Sequence, residues 1–122
     1  MTAPSAAAKP LRVAPGGAPA ETEPVDPSKL LDGIPSQTTE NHYEAADGRF
    51  FAGLWSSDPG AWRVDYSEHE LCQLLEGEVE LTAEDGSSER FAAGEAFVIP
   101  AGFKGTWRSI GKVRKLYAIY QA

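Results

Sequence analysis

From Ser36 onward, apolar and polar residues alternate with a period of two. Glu78-Val79-Glu80-Leu81-Thr82-Ala83 sets acid or threonine against apolar side chains, as a strand with one wet face should. Phe103-Lys104-Gly105-Thr106-Trp107-Arg108 does the same, with Phe103, Gly105 and Trp107 on one face and Lys104 and Arg108 on the solvent side. Turn chemistry punctuates these runs at Glu76-Gly77, Asp85-Gly86, Ala93-Gly94 and Ala101-Gly102. Asp85-Gly86 is the clearest hairpin signal. The pattern predicts strands near 40–45, 50–55, 61–66, 70–76, 78–83, 88–91, 95–99, 103–109 and 113–120. Short strands at roughly ten-residue spacing, with no helical run of three turns, predict an all-β sandwich or barrel.

Prolines divide the chain sharply. Seven of the nine lie at positions 4, 10, 15, 19, 24, 27 and 35. Residues 1–28 are rich in Ala, Pro, Gly and Ser and nearly free of large apolar side chains. Such a segment buries too little surface to offset its ordering entropy, so it reads as a flexible arm ahead of one folded domain, 29–122. An arm that packs on a neighbouring subunit is the rival reading.

Composition excludes more than it selects. The 122 residues suit one domain, and 42% hydrophobic with 24% charged is an ordinary globular balance. A net charge of −7 and a pI near 4.7 argue against nucleic-acid or anionic-membrane partners, which need a basic surface. Cys72 is the single cysteine, so no internal disulfide forms, in keeping with a reducing compartment. Neither a run of ~20 apolar residues nor the apolar core of a secretory signal is present, and the expected location is cytoplasmic.

Two glycine–proline frameworks carry the chemistry. The first runs Gly60-Ala-Trp-Arg-Val-Asp-Tyr-Ser-Glu-His-Glu-Leu-Cys-Gln-Leu-Leu-Glu-Gly77, the second Gly94-Glu-Ala-Phe-Val-Ile-Pro-Ala-Gly-Phe-Lys-Gly-Thr-Trp-Arg-Ser109. They resemble the paired motifs of the cupin superfamily: Glu70 and Gly77 fit the end of the first, and Gly94, Pro100 and Gly102 fit the frame of the second. Val64 and Tyr66 stand where that family has two histidines, Gly105 where it has a third, and Ser109 where it has asparagine. Together with Glu76-Gly-Glu-Val79, Pro100-Ala-Gly-Phe-Lys-Gly-Thr-Trp107 and Val113-Arg-Lys-Leu-Tyr117, they are similar to the small cupins related to the cupin domain of (S)-ureidoglycine aminohydrolase. The resemblance implies a double-stranded β-helix (jelly-roll) barrel over residues 40–121, and a homodimer. It also implies a hydrolase that releases ammonia from an aminal-type substrate at a manganese site of His, Glu and Gln, of which Glu70 alone remains here.

One carboxylate is too few donors for a divalent transition ion, so no metal is expected unless ligands outside the motif are recruited. His69 is one residue from Glu70 and, in an extended strand, faces the opposite side; its neighbour Glu68 is a further candidate. His42 reads as a surface or edge-strand residue. Glu70, Cys72 and Leu74 alternate with Leu71, Gln73 and Leu75, and the resemblance turns the first set inward. A buried carboxylate must be paired, hydrogen-bonded or protonated. In Val113-Arg-Lys-Leu-Tyr-Ala-Ile119, Val113, Lys115, Tyr117 and Ile119 share one face, so an inward Lys115 would pair with Glu70, closed by Tyr66 and Tyr117. The competing arrangement puts Lys115 outside and Glu70 on a solvated rim. Cys72 reads as a small core residue, because no base stands near to make thiolate. Trp107 either plugs the barrel or walls a planar ligand; Trp55 and Trp62 are core or rim residues.

Three functions fit these residues. The preferred one is a metal-independent barrel that binds a small polar molecule through Tyr66, Glu70, Cys72, Trp107, Lys115 and Tyr117. The second is an enzyme acting on a small ureide, amine or carboxylate, with Glu70 as catalytic acid or base. The third is a structural cupin with a filled barrel. A cavity around Glu70 would separate the first two from the third.

Overall fold

The computed structural model describes residues 7–122 and is built from nine strands. These are β1 (Ala20–Pro24), β2 (Leu30–Asp32), β3 (Ser36–Glu44), β4 (Phe50–Ser57), β5 (Gly60–Asp65), β6 (His69–Ala83), β7 (Ser88–Ala92), β8 (Ala96–Ile99) and β9 (Lys104–Tyr120). The one helical element is a single 3-10 turn, Pro27–Lys29, capped by the Asp26 carboxylate, which accepts the Ser28 N–H at 3.0 Å. Among the described residues no helix is long and apolar enough to cross a membrane.

All pairings are antiparallel, and β9 organises them. One edge of β9 takes β5 along its first half and β4 along its second; the other edge takes β6 along nearly its whole length. β6 in turn carries β8 and β7 on its free edge, while β3 and then β1 extend from β4. The sheet therefore curls into a barrel, the architecture expected of a jelly-roll cupin.

Two expected breaks are bulges instead. Segments 70–76 and 78–83 form one strand, as do 103–109 and 113–120, because the β6·β9 ladder slips around Glu76–Glu78 without ending. Gly77 makes the slip possible: its φ is 82°, and a Cβ there would sit 2.2 Å from the Lys112 carbonyl oxygen. The Asp85-Gly86 hairpin joins β6 to β7 as predicted, with the Asp85 carboxylate accepting the Ser87 N–H.

The arm–domain boundary does not coincide with the start of the sheet. Ala20–Pro24 pairs with β3, Thr22 and Thr38 join hydroxyls at 2.8 Å, and Val25 is buried against Trp62 in the core. Ala-Glu-Thr-Glu-Pro has no apolar alternation to announce a strand; β3 supplies its partners and Val25 its anchor. Residues 1–6 of the arm lie outside the described residues.

Inward faces follow the period-two reading. Cys72 and Leu74, Val79 and Leu81, Phe97 and Ile99, and Trp107 and Val113 form one core cluster with Val25 and Trp62. Leu71, Gln73 and Leu75 face out.

Candidate functional site

Inside the barrel, between the β3–β4–β5 wall and the middle of β6 and β9, lies a cavity of about 620 Å³. Gln37, Thr39 and Asn41 from β3 give it a polar wall, and Trp55, Trp62 and Trp107 give it an aromatic one. Tyr66, Glu70, Lys115 and Tyr117 line it too. Val25, Asp26 and Lys29 line it as well, and the 3-10 turn that carries Lys29 is tied to β5 by Arg63, whose guanidinium donates to the Ser28 carbonyl.

Glu70 and Lys115 meet. Both are only 5% exposed, and Lys115 Nζ donates to Glu70 Oε2 at 2.5 Å. The same oxygen accepts the Cys72 Sγ–H at 3.0 Å, and Nζ is 3.6 Å from that sulfur. The ammonium also rests between two indoles, 4.7 Å from the ring centroid of Trp55 and 4.5 Å from that of Trp107. The pairing follows from alternation: Glu70 and Lys115 are both inward on adjacent strands, with Lys115 opposite Leu74 in register.

The rings that hold the ammonium are themselves fixed. Trp55 Nε1 donates to Gln37 Oε1 at 3.1 Å, and Trp107 Nε1 donates to Ser109 Oγ at 2.9 Å, which bonds Ser57 Oγ at 2.7 Å. Trp55 meets Trp107 edge-on at 5.4 Å, while Trp62 stacks on Trp107 at 6.4 Å. Trp107 is thus core and cavity wall at once, 2% exposed.

Burial alone would pull the Lys115 ammonium's pKa down, but its interactions with Tyr66, Glu70 and Cys72 outweigh it and the net direction is up. Lys115 stays charged throughout the physiological range. Burial pushes the Cys72 thiol up to about 12, with Glu70 adding to the rise and Lys115 opposing it. That thiol is no nucleophile at neutral pH. Burial likewise raises Tyr66, and Tyr117 to about 12, so both phenols keep their protons.

Not every expected site residue takes its expected place. Cys72 is 0% exposed and lies behind the Glu70–Lys115 pair, without lining the cavity. Tyr117 does not close the pair: its hydroxyl donates to Asn41 Oδ1 at 2.7 Å. Tyr66 lines the cavity, and its hydroxyl makes no hydrogen bond among the described residues. Glu70 Oε1 is likewise without a partner, since both of that side chain's bonds fall on Oε2. His69 is exposed and outside the cavity; its Nδ1 accepts the Ala101 N–H at 3.1 Å and its ring stacks on Tyr120. Sequence reasoning missed Gln37, Thr39, Asn41 and Trp55 as liners. Their only signal was the parity of β3 and β4, unreadable before the register was known.

The residues present do not fit the divalent metal that the cupin resemblance implies. Val64 offers no donor, and Gly105 cannot be given one: a Cβ there would lie 1.9 Å from the Thr82 carbonyl oxygen. Among the described residues no three His, Cys, Asp or Glu side chains converge as a metal would need. The one retained carboxylate already holds a cation, the Lys115 ammonium.

Residues 44–117 match the family model described as the EutQ-like cupin domain. Among solved structures, a protein of unknown function of the DUF861 family from Pseudomonas syringae pv. tomato aligns with a TM-score of 0.76 at 33% identity, over 84% of this chain and 44% of that one. The chain thus spans less than half the length of that relative. The Clostridium difficile EutQ protein aligns with a TM-score of 0.63 at 19% identity, over 80% of each chain. A putative ethanolamine utilization protein Q from Salmonella typhimurium gives 0.64 at 22%, over 88% of this chain and 99% of that one. No curated protein matches. With the family model covering well over half of its length and the barrel in place, the chain belongs to the EutQ-like cupin domain family.

Proposed function

We propose that this cupin is a metal-independent barrel that binds a small polar molecule. The observation that carries the reading is the cavity of about 620 Å³ with a self-neutralised ion pair at its base and two polar atoms, Glu70 Oε1 and the Tyr66 hydroxyl, left without protein partners. Among the described residues no buried side-chain nitrogen or oxygen lacks a partner, so these two atoms open onto the solvent of the cavity, where a ligand can take the place of water. Glu70 Oε1 accepts and the Tyr66 hydroxyl can donate, so the fitting ligand offers both an N–H or O–H and an acceptor. The indoles favour a flat or compact one. Because Lys115 cancels Glu70, a ligand of unit net charge would enter without a counter-charge at the cavity base, which favours neutral or zwitterionic compounds. The cavity does not support a filled, purely structural barrel.

The test is a screen of small amides, ureas, amino alcohols and amino acids by tryptophan fluorescence and thermal shift. Ethanolamine belongs in it, since one structural relative is named for its utilization. A true ligand should bind the wild type and weaken about tenfold in Tyr66→Phe, as one lost hydrogen bond predicts. Hits that bind Tyr66→Phe and Glu70→Gln as well as the wild type would sink the reading.

The same free oxygen supports a second reading. Glu70 Oε1 faces the cavity where a catalytic base would stand, as in an enzyme of the ureidoglycine aminohydrolase type acting on a small ureide, amine or carboxylate. Turnover that Glu70→Gln abolishes while binding survives distinguishes this reading from the first.

A further inference from the structure

His42 projects from the bulge in β3, where pairing with β4 slips between Asn41 and Tyr43. Both ring nitrogens of this half-buried side chain face acceptors: Nδ1 is 3.0 Å from the Glu40 carbonyl oxygen and Nε2 is 2.8 Å from that of Ala14. A neutral imidazole has one N–H and can serve only one of these oxygens; imidazolium serves both.

Ala14 opens a tight turn, Ala14-Pro15-Gly16-Gly17, closed by the Gly17 N–H on the Ala14 carbonyl at 3.1 Å. Proline at the second position and Gly16 at φ 81° in the third are the residues a type II turn requires. The Gly16 N–H donates to Glu40 Oε1 at 2.8 Å. Gly17 packs so closely that an added Cβ would lie 3.1 Å from His42 Nε2. The turn is therefore fastened to β3 by a carboxylate that receives one of its N–H groups and an imidazole that reaches its carbonyl.

We propose that His42 is a protonation-dependent latch for the 14–17 turn, docked while the ring is imidazolium and loosened when it is neutral. Of the charged groups on the strands around it, Glu40 and Glu44 share β3 with His42 and Glu21 and Glu23 lie on β1, which pairs with β3; Lys9 and Arg12 precede the turn in the chain. β4, behind β3, carries none between Phe50 and Ser57. Imidazoles ordinarily titrate near pH 6.5, about where a cell's compartments differ. The latch does not depend on any ligand, although Asn41, its neighbour on β3, faces the cavity and receives the Tyr117 hydroxyl.

Nitrogen-15 NMR of the full chain tests this in one titration. At low pH both His42 ring nitrogens should be protonated and the Gly16 and Gly17 amides protected from exchange. As pH rises, protection corrected for intrinsic exchange should fall roughly tenfold, as for one lost charge-assisted hydrogen bond, along the same curve as the His42 titration. His42→Gln, with a single-ended donor, should show the low protection at every pH, and His69→Gln should leave the response intact. Protection independent of pH, a curve that does not follow His42, or a neutral His42 ring with the turn still docked would each overturn the proposal.

Discussion

Two hollows of the barrel share β6 and differ in what lines them. The larger, about 620 Å³, presents Gln37, Thr39, Asn41, Tyr66 and the Glu70–Lys115 pair alongside its indoles. The smaller, about 430 Å³, is walled by Leu81, Phe91, Phe97, Ile99 and Phe103, with serines and Glu89 on its exposed side. There Phe91 stacks on Phe97 at 4.1 Å, and hydrophobic burial is explanation enough. It is not enough for the larger hollow. A buried ion pair is often no more stable than well-packed apolar residues of similar volume, so stability alone does not account for Glu70 and Lys115. The difference sets a buried ion pair that stability does not explain at one hollow against ordinary apolar packing at the other.

The comparison can be broken most forcefully at Lys115. Lys115→Met leaves the Glu70 carboxylate buried without its cation and should cost about 3–5 kcal/mol in urea unfolding. Replacing both partners, Glu70→Leu with Lys115→Met, should recover most of that loss while abolishing ligand binding. A double variant as unstable as the single one would show that the pair is structural.

A second test uses alkali. Folding raises the proton affinity of Cys72, Tyr66, Tyr117 and Lys115 above their ordinary values of 9.0, 10.0, 10.0 and 10.5. Above about pH 9 the unfolded chain therefore binds fewer protons than the folded one, and stability falls as pH rises towards 12. Below pH 9 the contribution is fully present. Cys72→Ala should move the onset up by about one pH unit, to where the tyrosines begin, as followed by circular dichroism. Ile99→Val, on the apolar side, should cost about 1 kcal/mol with the wild-type pH dependence unchanged.

The smallest effect is a reactivity. Cys72 should ignore a disulfide reagent such as Ellman's at pH 8 in the folded protein and react fully in urea. Rapid labelling of the native state would mean that the sulfur is reachable from the cavity.

Much of this contrast was legible before the fold was known, because it depends on parity. Alternation in 70–76 and 113–119 grouped Glu70 with Cys72 and Lys115 with Tyr117; the cupin resemblance turned the first pair inward, and an inward Lys115 would then partner the carboxylate, against the alternative of Lys115 outside and Glu70 on a solvated rim. The glycine frames announced the barrel. What stayed hidden depends on register between distant strands. Trp55 faces Lys115 across the β4·β9 ladder, and Asn41 takes the Tyr117 hydroxyl from a strand whose own pattern says nothing of it. Gly77 and Gly111 look like turn residues and are, in a curled sheet, places where one long strand continues. β1 has no local signal at all, since its edge pairing is dictated by β3.

The account rests on a tethered ammonium occupying the carboxylate that other cupins give to a metal. Elemental analysis of protein purified without added metal, repeated after incubation with manganese and removal of free ion, tests it directly. The account predicts far less than one equivalent of any transition metal in both samples. A stoichiometric ion, lost in Glu70→Gln, would contradict it.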